Sequence, residues 1–397
     1  MRILIVHNRY RLKGGEESVV ESESELLSAK GHTVKVLFRD SSEIERFTLP
    51  QKMRLVSDIA WSSKSFDMMR NTVREFRADI VHAHNIHPLW SPSIFSAAHE
   101  SGAATVMTLH NYRLVCQNGL LMRNGRTCSE CLDHGHWRGV VHRCVGGSLC
   151  GSLAMSRMMW INDRNGTWRN DVDAFISLTN DAKEIFSRGG VPADRIYVKP
   201  NCVADPLTGD AVVVTRLGAL FIGHLLAFKG IEMLLDAWQQ IEYPLCVVGE
   251  GPLLDKLRLQ ARKNITFVGR LPYSEVLKLL SSSSFVLFPS HAREGFPRVI
   301  VEAFAMGRAV IASRHGAMKE IVRHNETGLL YDQGNVDDLR RQAALLAGNP
   351  TLALSLGQAA RREYLHKYTA DSNYRQLIDV YHSALDRSRR GMGVSVT

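Results

Sequence analysis

The sequence predicts an α/β chain built of two doubly wound, Rossmann-like parallel-sheet domains, and three observations lead there. Short apolar runs bounded by turn residues alternate with helical periodicity through both halves. Glycine-containing turns follow several of these runs, where strand-to-helix connections need them. Residues 203–217 show neither period and read as a linker between the halves. At 397 residues, 45% hydrophobic and 22% charged, the chain is long enough for two cores.

Residues 2–7 form the first strand, too short for a secretory leader. The turn Gly14-Gly15-Glu16-Glu17 and a helix to about Lys30 follow, and residues 33–38 are the second strand. Strand, glycine turn and helix suit a phosphate through helix-start N–H groups. Glu16 and Glu17 would repel a diphosphate at close range, which leaves backbone contact alone. Between Arg46 and Arg77, Lys52, Arg54, Lys64, Arg70 and Arg74 interleave with Phe47, Leu55, Ile59, Trp61, Phe66 and Met68. This is either a solvated helix or a segment that lies on an anionic bilayer. The formal net charge of +9 admits nucleic acid, an anionic membrane surface or phosphorylated substrates, and no nucleic-acid module is present.

Residues 78–85 make a strand ending in His82 and His84, with His87 beyond it; the sequence shows no carboxylate pattern to complete a metal site. A strand at 103–108 leads into Leu109-His110-Asn111. The segment 112–150 is rich in turn pairs and holds Cys116, Cys128, Cys131 and Cys144, with Cys150 just at its end. Cys128-x2-Cys131 is a zinc-knuckle spacing that Cys116 and Cys144 complete as a structural tetrathiolate site. Cys150, His134, His136 and His142 are substitute ligands. Reduced thiols are the competing reading and a disulfide a third. With seven cysteines and no leader, reduced thiols in the cytosol are expected. A helix at 151–168, a strand at 173–179, a helix at 181–187 and a strand at 195–200 close the first half.

The second half repeats the alternation. A strand at 217–222 leads through Gly223-His224 to Lys229-Gly230 and a helix at 230–240. A lysine at a helix start is disfavoured by the dipole unless an anion sits there. Strands at 245–248 and 265–268 run into Gly249-Glu250-Gly251-Pro252 and Gly269-Arg270. The apolar run 285–290 then enters the loop of Glu294, with Glu302 inside the following helix. Eight helical residues rise about 12 Å, so the two carboxylates suit opposite ends of an elongated ligand, such as the hexose and ribose of a nucleotide sugar. The bland reading is one loop and one helix glutamate. Helices at 335–347, 350–366 and 371–388 end the chain.

The stretch Glu294-Gly295-Phe296-Pro297 to Glu302, with Ser290, Ala303, Gly307, Gly316, Glu320 and Thr327-Gly328-Leu329, resembles the E-x7-E signature of family 4 retaining glycosyltransferases. The resemblance implies the GT-B architecture, with two domains facing a cleft. It implies an acceptor-side domain over 1–202 carrying the Cys-rich insert 112–150. A donor-binding domain follows over 203–370, and a terminal helix over 371–397 crosses back to the first. By the same resemblance Glu294, with Gly295 and Phe296, meets the donor hexose, and Glu302 meets the ribose. Lys229 takes the diphosphate, and turns such as those of Gly251 and Arg270 cradle the base. His110 stands beside the donor sugar and acceptor, and Gly14 and Gly15 match the family's Gly-Gly-x-Glu start. His224 occupies the place of an arginine; either it is protonated when the diphosphate binds, or Arg9 or Arg270 replaces it.

The implied activity transfers a hexose from a nucleoside diphosphate sugar to a hydroxyl of a glycan or lipid-linked sugar in cell-surface polysaccharide biosynthesis. Configuration is retained, the nucleotide sugar is the substrate, and no catalytic cofactor or metal is required. The expected location is cytoplasmic, or peripheral at the inner membrane face. A nucleotide-sugar epimerase or hydrolase and a non-catalytic binding subunit are the competing readings. An NAD-dependent oxidoreductase is disfavoured, since no Gly-x-Gly-x-x-Gly follows the first strand.

Overall fold

The computed structural model describes residues 1–10, 14–207 and 218–393, with side chains through 390. Most of the expected linker, and the expected strand start at Leu217, lie outside the described residues. The chain divides into two compact units. One comprises Met1–Leu121, Cys128–Pro200 and the terminal helix from Asn373; the other comprises Met122–Thr127 and the described part of Asn201–Ser372.

The first unit holds strands β1 (Arg2–Arg9), β2 (Thr33–Asp40), β3 (Ile80–Asn85) and β4 (Ala104–Leu109). A two-stranded hairpin, β5 (Met122–Arg123) and β6 (Arg126–Thr127), precedes β7 (Ala174–Ser177) and β8 (Ile196–Val198). The six long-range strands form one parallel sheet in the order β2-β1-β3-β4-β7-β8. Both β3 and β4 are buried along their whole length, as expected for central strands covered on two faces. Leu4, Val6, Val81, Ala83, Met107 and Phe175 form one core with Trp90, Phe95 and Met158.

The second unit holds β9 (Ala219–Ile222), β10 (Leu245–Val248), β11 (Ile265–Gly269), β12 (Phe285–Phe288), β13 (Ala309–Ser313) and β14 (Gly328–Tyr331). They too form a parallel sheet, in the order β11-β10-β9-β12-β13-β14. Alternate residues feed opposite cores. Phe221, Leu287 and Ile311 enter one; Leu220, Val286 and Val310 enter the other. In each sheet the strand order reverses once, between β1 and β3 and between β9 and β12. Loops at the carboxyl ends of those strands flank the crevice where doubly wound sheets bind ligands.

The segment 112–150 departs from its expected lack of structure. Besides the hairpin it contains short helices Glu130–His134 and Arg138–Val141. It also buries Tyr112, Leu114, Val115, Cys116 and Leu121, and Tyr112 stacks on Phe186 at 5.5 Å between ring centres. Apolar packing orders it, so no metal is needed for that. The geometry gives the zinc expectation no support. Among the described residues no three of Cys116, Cys128, Cys131 and Cys144 bring their sulfurs within 4.8 Å of one another. Burial raises the thiols of Cys116 and Cys131, the latter to about 11, and the neighbouring thiols of Cys116 and Cys144 add to the rise at Cys131. None of the seven cysteines is joined in a disulfide. Among the described residues, no helix is long and apolar enough to cross a membrane.

Candidate functional site

At the switch point of the second sheet, a 3-10 turn Ala227–Lys229 links β9 to the helix Ile231–Trp238. Gly230 between them has φ +73°, and a Cβ there would lie 2.0 Å from the carbonyl oxygen of Pro289. Only glycine lets this loop approach the one after β12 so closely. The approach brings Lys229 to Glu294, with Nζ 2.8 Å from Oε1. Ser290 Oγ donates to the same carboxylate oxygen at 2.6 Å, and His315 Nε2 lies 3.1 Å from the Ser290 carbonyl oxygen. The side chains of Lys229 and Glu294 keep 22% and 17% exposure, so a ligand can reach both.

Glu302 lies on the buried face of the helix Arg298–Ala305, 3.5 Å from Arg298. Burial raises its carboxyl, while the charge of Arg298 and a hydrogen bond from Tyr273 oppose the rise. The other expected donor residues are more scattered. His224 is exposed and its ring hydrogen-bonds to no described residue. Arg270 is exposed and pairs with Glu250 at 3.3 Å. Gly251 serves close packing, since a Cβ there would sit 2.6 Å from the Leu225 carbonyl oxygen. Phe296 packs on Tyr368 at 6.2 Å between ring centres, and Gly295 is half-buried beside it.

In the first unit, the Gly14 N–H of the glycine turn is taken by a carboxylate of its own helix. The N–H groups of Gly14 and Tyr10 donate to the Glu17 carboxylate at 2.8 and 3.0 Å. Glu17 is the third residue of the helix Gly15–Ala29, where a carboxylate reaches back to the cap. Burial opposes its ionisation. The His7 ring 3.9 Å away and the two N–H groups prevail and hold it at about 2. Gly15 is exposed at the helix start.

His110, just after β4, is half-buried and heads a chain of polar contacts. Its Nε2 lies 2.9 Å from His84 Nδ1, and His84 Nε2 lies 3.3 Å from Glu23 Oε1. Lys199 Nζ reaches Glu23 Oε2 at 3.1 Å. Burial alone would push Glu23 up; the Lys199 charge and the rings of His82 and His84 hold it well below the usual carboxylate range. His84 Nε2 and Glu23 Oε1 face each other across that 3.3 Å gap without forming a hydrogen bond. Burial, then the neighbouring rings, keeps His110 well below its usual pKa, so it is neutral.

His82, His84 and Glu23 place ligand atoms within 4.8 Å of one another, but the Lys199 ammonium already supplies the cation at that carboxylate. The histidines two apart in β3 were visible in the sequence as one face of a strand. Glu23 and Lys199 were not, because each comes from a different element. Ser290 and His315 carried no spacing signal of their own.

Residues 13–205 match the family model Glycosyltransferase Family 4, and residues 214–363 match Glycosyl transferases group 1. An uncharacterized glycosyltransferase of Methanocaldococcus jannaschii is 32% identical over 171 residues, 42% of this chain and 48% of that protein. D-rhamnosyltransferase WbpZ of Pseudomonas aeruginosa is 34% identical over 157 residues, 38% of this chain and 41% of that protein. The chain thus spans less than half the length of these two relatives. The structure of Anabaena HepE in complex with UDP superposes with TM-score 0.67 at 18% identity, covering 96% of this chain and all of that one. At that identity the likeness is one of fold.

Proposed function

The chain belongs to the family 4 glycosyltransferases of GT-B fold, and from that premise we propose that it transfers a hexose from a nucleoside diphosphate sugar to an acceptor hydroxyl with retention. The observation that carries this reading is the contact of Lys229 with Glu294 at the switch point of the second sheet. In a nucleoside diphosphate sugar the diphosphate and the hexose share one bond. A cation for the first and a carboxylate for the second must therefore be neighbours, and the 2.8 Å separation satisfies this.

In the proposed step the bond from the anomeric carbon to the leaving phosphate oxygen breaks. The acceptor oxygen bonds to that carbon on the same face, and its proton passes to the departing phosphate. Lys229 and the N-terminus of the helix Ile231–Trp238 meet the negative charge as it develops, the place a divalent cation takes in other designs. Glu294 orients the hexose through its hydroxyls, Glu302 the ribose, and neutral His110 accepts from a sugar hydroxyl. Relatives such as WbpZ and the O-antigen chain mannosyltransferase C of Escherichia coli favour a glycan or lipid-linked acceptor in polysaccharide assembly.

A thermal-shift panel of UDP-, GDP-, ADP- and dTDP-sugars tests the reading. A true donor at a hundred times its Kd adds about 2.7 kcal/mol of stability. Should none of the four shift the transition, the donor assignment falls. Release of free sugar or an epimer without acceptor would favour the hydrolase or epimerase.

A further inference from the structure

A cavity of about 740 Å³ opens in the first unit between the helix Leu49–Asp58, the turn at Cys144–Gly146 and the helix Leu149–Asn165. Ile44, Leu55, Val56, Ile59, Ala154 and Met155 line it. Arg113 and His87 belong to its lining too, and the same two residues line a cavity of about 20 Å³ beside His84 and His110. The large apolar space therefore adjoins the small space at the end of β4.

The junction is polar in a particular way. His87 is 3% exposed, and neither ring nitrogen has a hydrogen-bond partner among the described residues. Burial, then the charge of Arg113, holds it down at about 3, so it is neutral. The Arg113 guanidinium lies over the Tyr10 ring at 5.5 Å, and its charge acts on the buried Glu16 carboxylate. Lys52 adds a second, exposed cation to the lining. Outside the cavity the apolar surface continues along both flanking helices: Leu49 and Met53 are 73% and 69% exposed, and Leu149 and Leu153 about half.

We infer that this cavity binds a lipid phosphate that carries the acceptor sugar. The chain lies against Val56, Ile59 and Met155, the phosphate meets Arg113, and a sugar hydroxyl meets the unpaired nitrogens of His87 at the junction with the smaller space. A free polar glycan is a poor fit, because its hydroxyls would face apolar walls without partners. The inference rests on the glycosyltransferase reading and narrows its acceptor.

The test measures binding of octyl, decyl and dodecyl phosphate to the full chain by calorimetry below their micellar concentrations, with inorganic phosphate as reference. Each buried CH2 tightens binding by up to about fourfold, so two carbons add up to about fifteenfold. Inorganic phosphate should show no heat. Val56→Asp, at a 40% exposed position that leaves the fold intact, should weaken dodecyl phosphate at least about tenfold, and Arg113→Gln likewise. Affinity independent of chain length, or unchanged in Val56→Asp, would overturn the inference. Sugar transfer supplies the separating arm, with a hexose diphosphate carrying a farnesyl chain and the same compound without the chain as acceptors. Equal transfer to both removes the lipid site and keeps the transferase; chain-dependent binding with no transfer from a bound donor keeps the site and removes the transferase.

Discussion

Glu294 and Lys229 are separated by 65 positions yet share a hydrogen bond of 2.8 Å. Their pairing makes Glu294→Gln an informative change. The neutral amide keeps the shape and the contact with Ser290 but accepts less strongly from hexose hydroxyls and no longer balances Lys229. Turnover should fall about 100-fold or more, the scale seen when one transition-state partner is removed, while affinity for the bare nucleotide changes only a few-fold. Steady-state kinetics beside calorimetry of the nucleotide decide it. Equal losses in both would place Glu294 away from the sugar.

The helix Leu49–Asp58 belongs to the segment in which basic and apolar residues interleave, and it leaves two of its large apolar side chains in solvent. None of its residues is buried, and Leu49 and Met53 stand out into solvent beside Lys52 and Arg54. A helix that packed on the core would hide those apolar side chains. Cosedimentation with anionic liposomes should be strong at low salt and fall as NaCl rises, since exposed charges are screened beyond about 10 Å at 0.1 M. Neutral liposomes should retain less protein at every salt. Binding that never occurs, or stays flat with salt, returns the segment to an ordinary solvated helix. The insert shows the reverse lesson. Its apolar positions, such as Tyr112, Val115 and Leu121, follow no period, because each packs from a turn or a one-turn helix. The cysteines therefore looked like the only source of order.

For the molecule as a whole, buried neutral histidines set the acid side of stability. His84 is lowered to about 4 by burial and then by His82, and His87 to about 3 by burial and then by Arg113. Unfolded histidine titrates near 6.5, so the unfolded chain takes up these protons first as pH falls. Depressed values mean that the contribution is complete above about pH 6.5. It is lost as pH drops towards 4 for His84 and 3 for His87, at about 1.4 kcal/mol per unit for each group. Glu17, held at about 2, adds a further loss below its unfolded value of 4.5. Melting temperature should be level above pH 6.5 and decline steeply to pH 4, and His87→Gln should decline less steeply. A wild-type curve flat from pH 7 to 4 would contradict the buried neutral state.

The sequence by itself determined the alternation that makes two parallel sheets, the strands except β5, β6, β13 and β14, and the glutamates of the E-x7-E stretch. Those properties reside in adjacent residues: a run of apolar side chains, a glycine at a turn, a carboxylate a fixed number of positions from another. Only the tertiary structure decided which groups meet. Sheet order set Lys229 against Glu294 and placed Glu23, Lys199 and His84 behind His110, from elements far apart in the chain. It also closed the Gly14 N–H with Glu17 and set Cys131 near Cys116 and Cys144. Distances of this kind depend on side-chain packing across elements, and no local pattern encodes them.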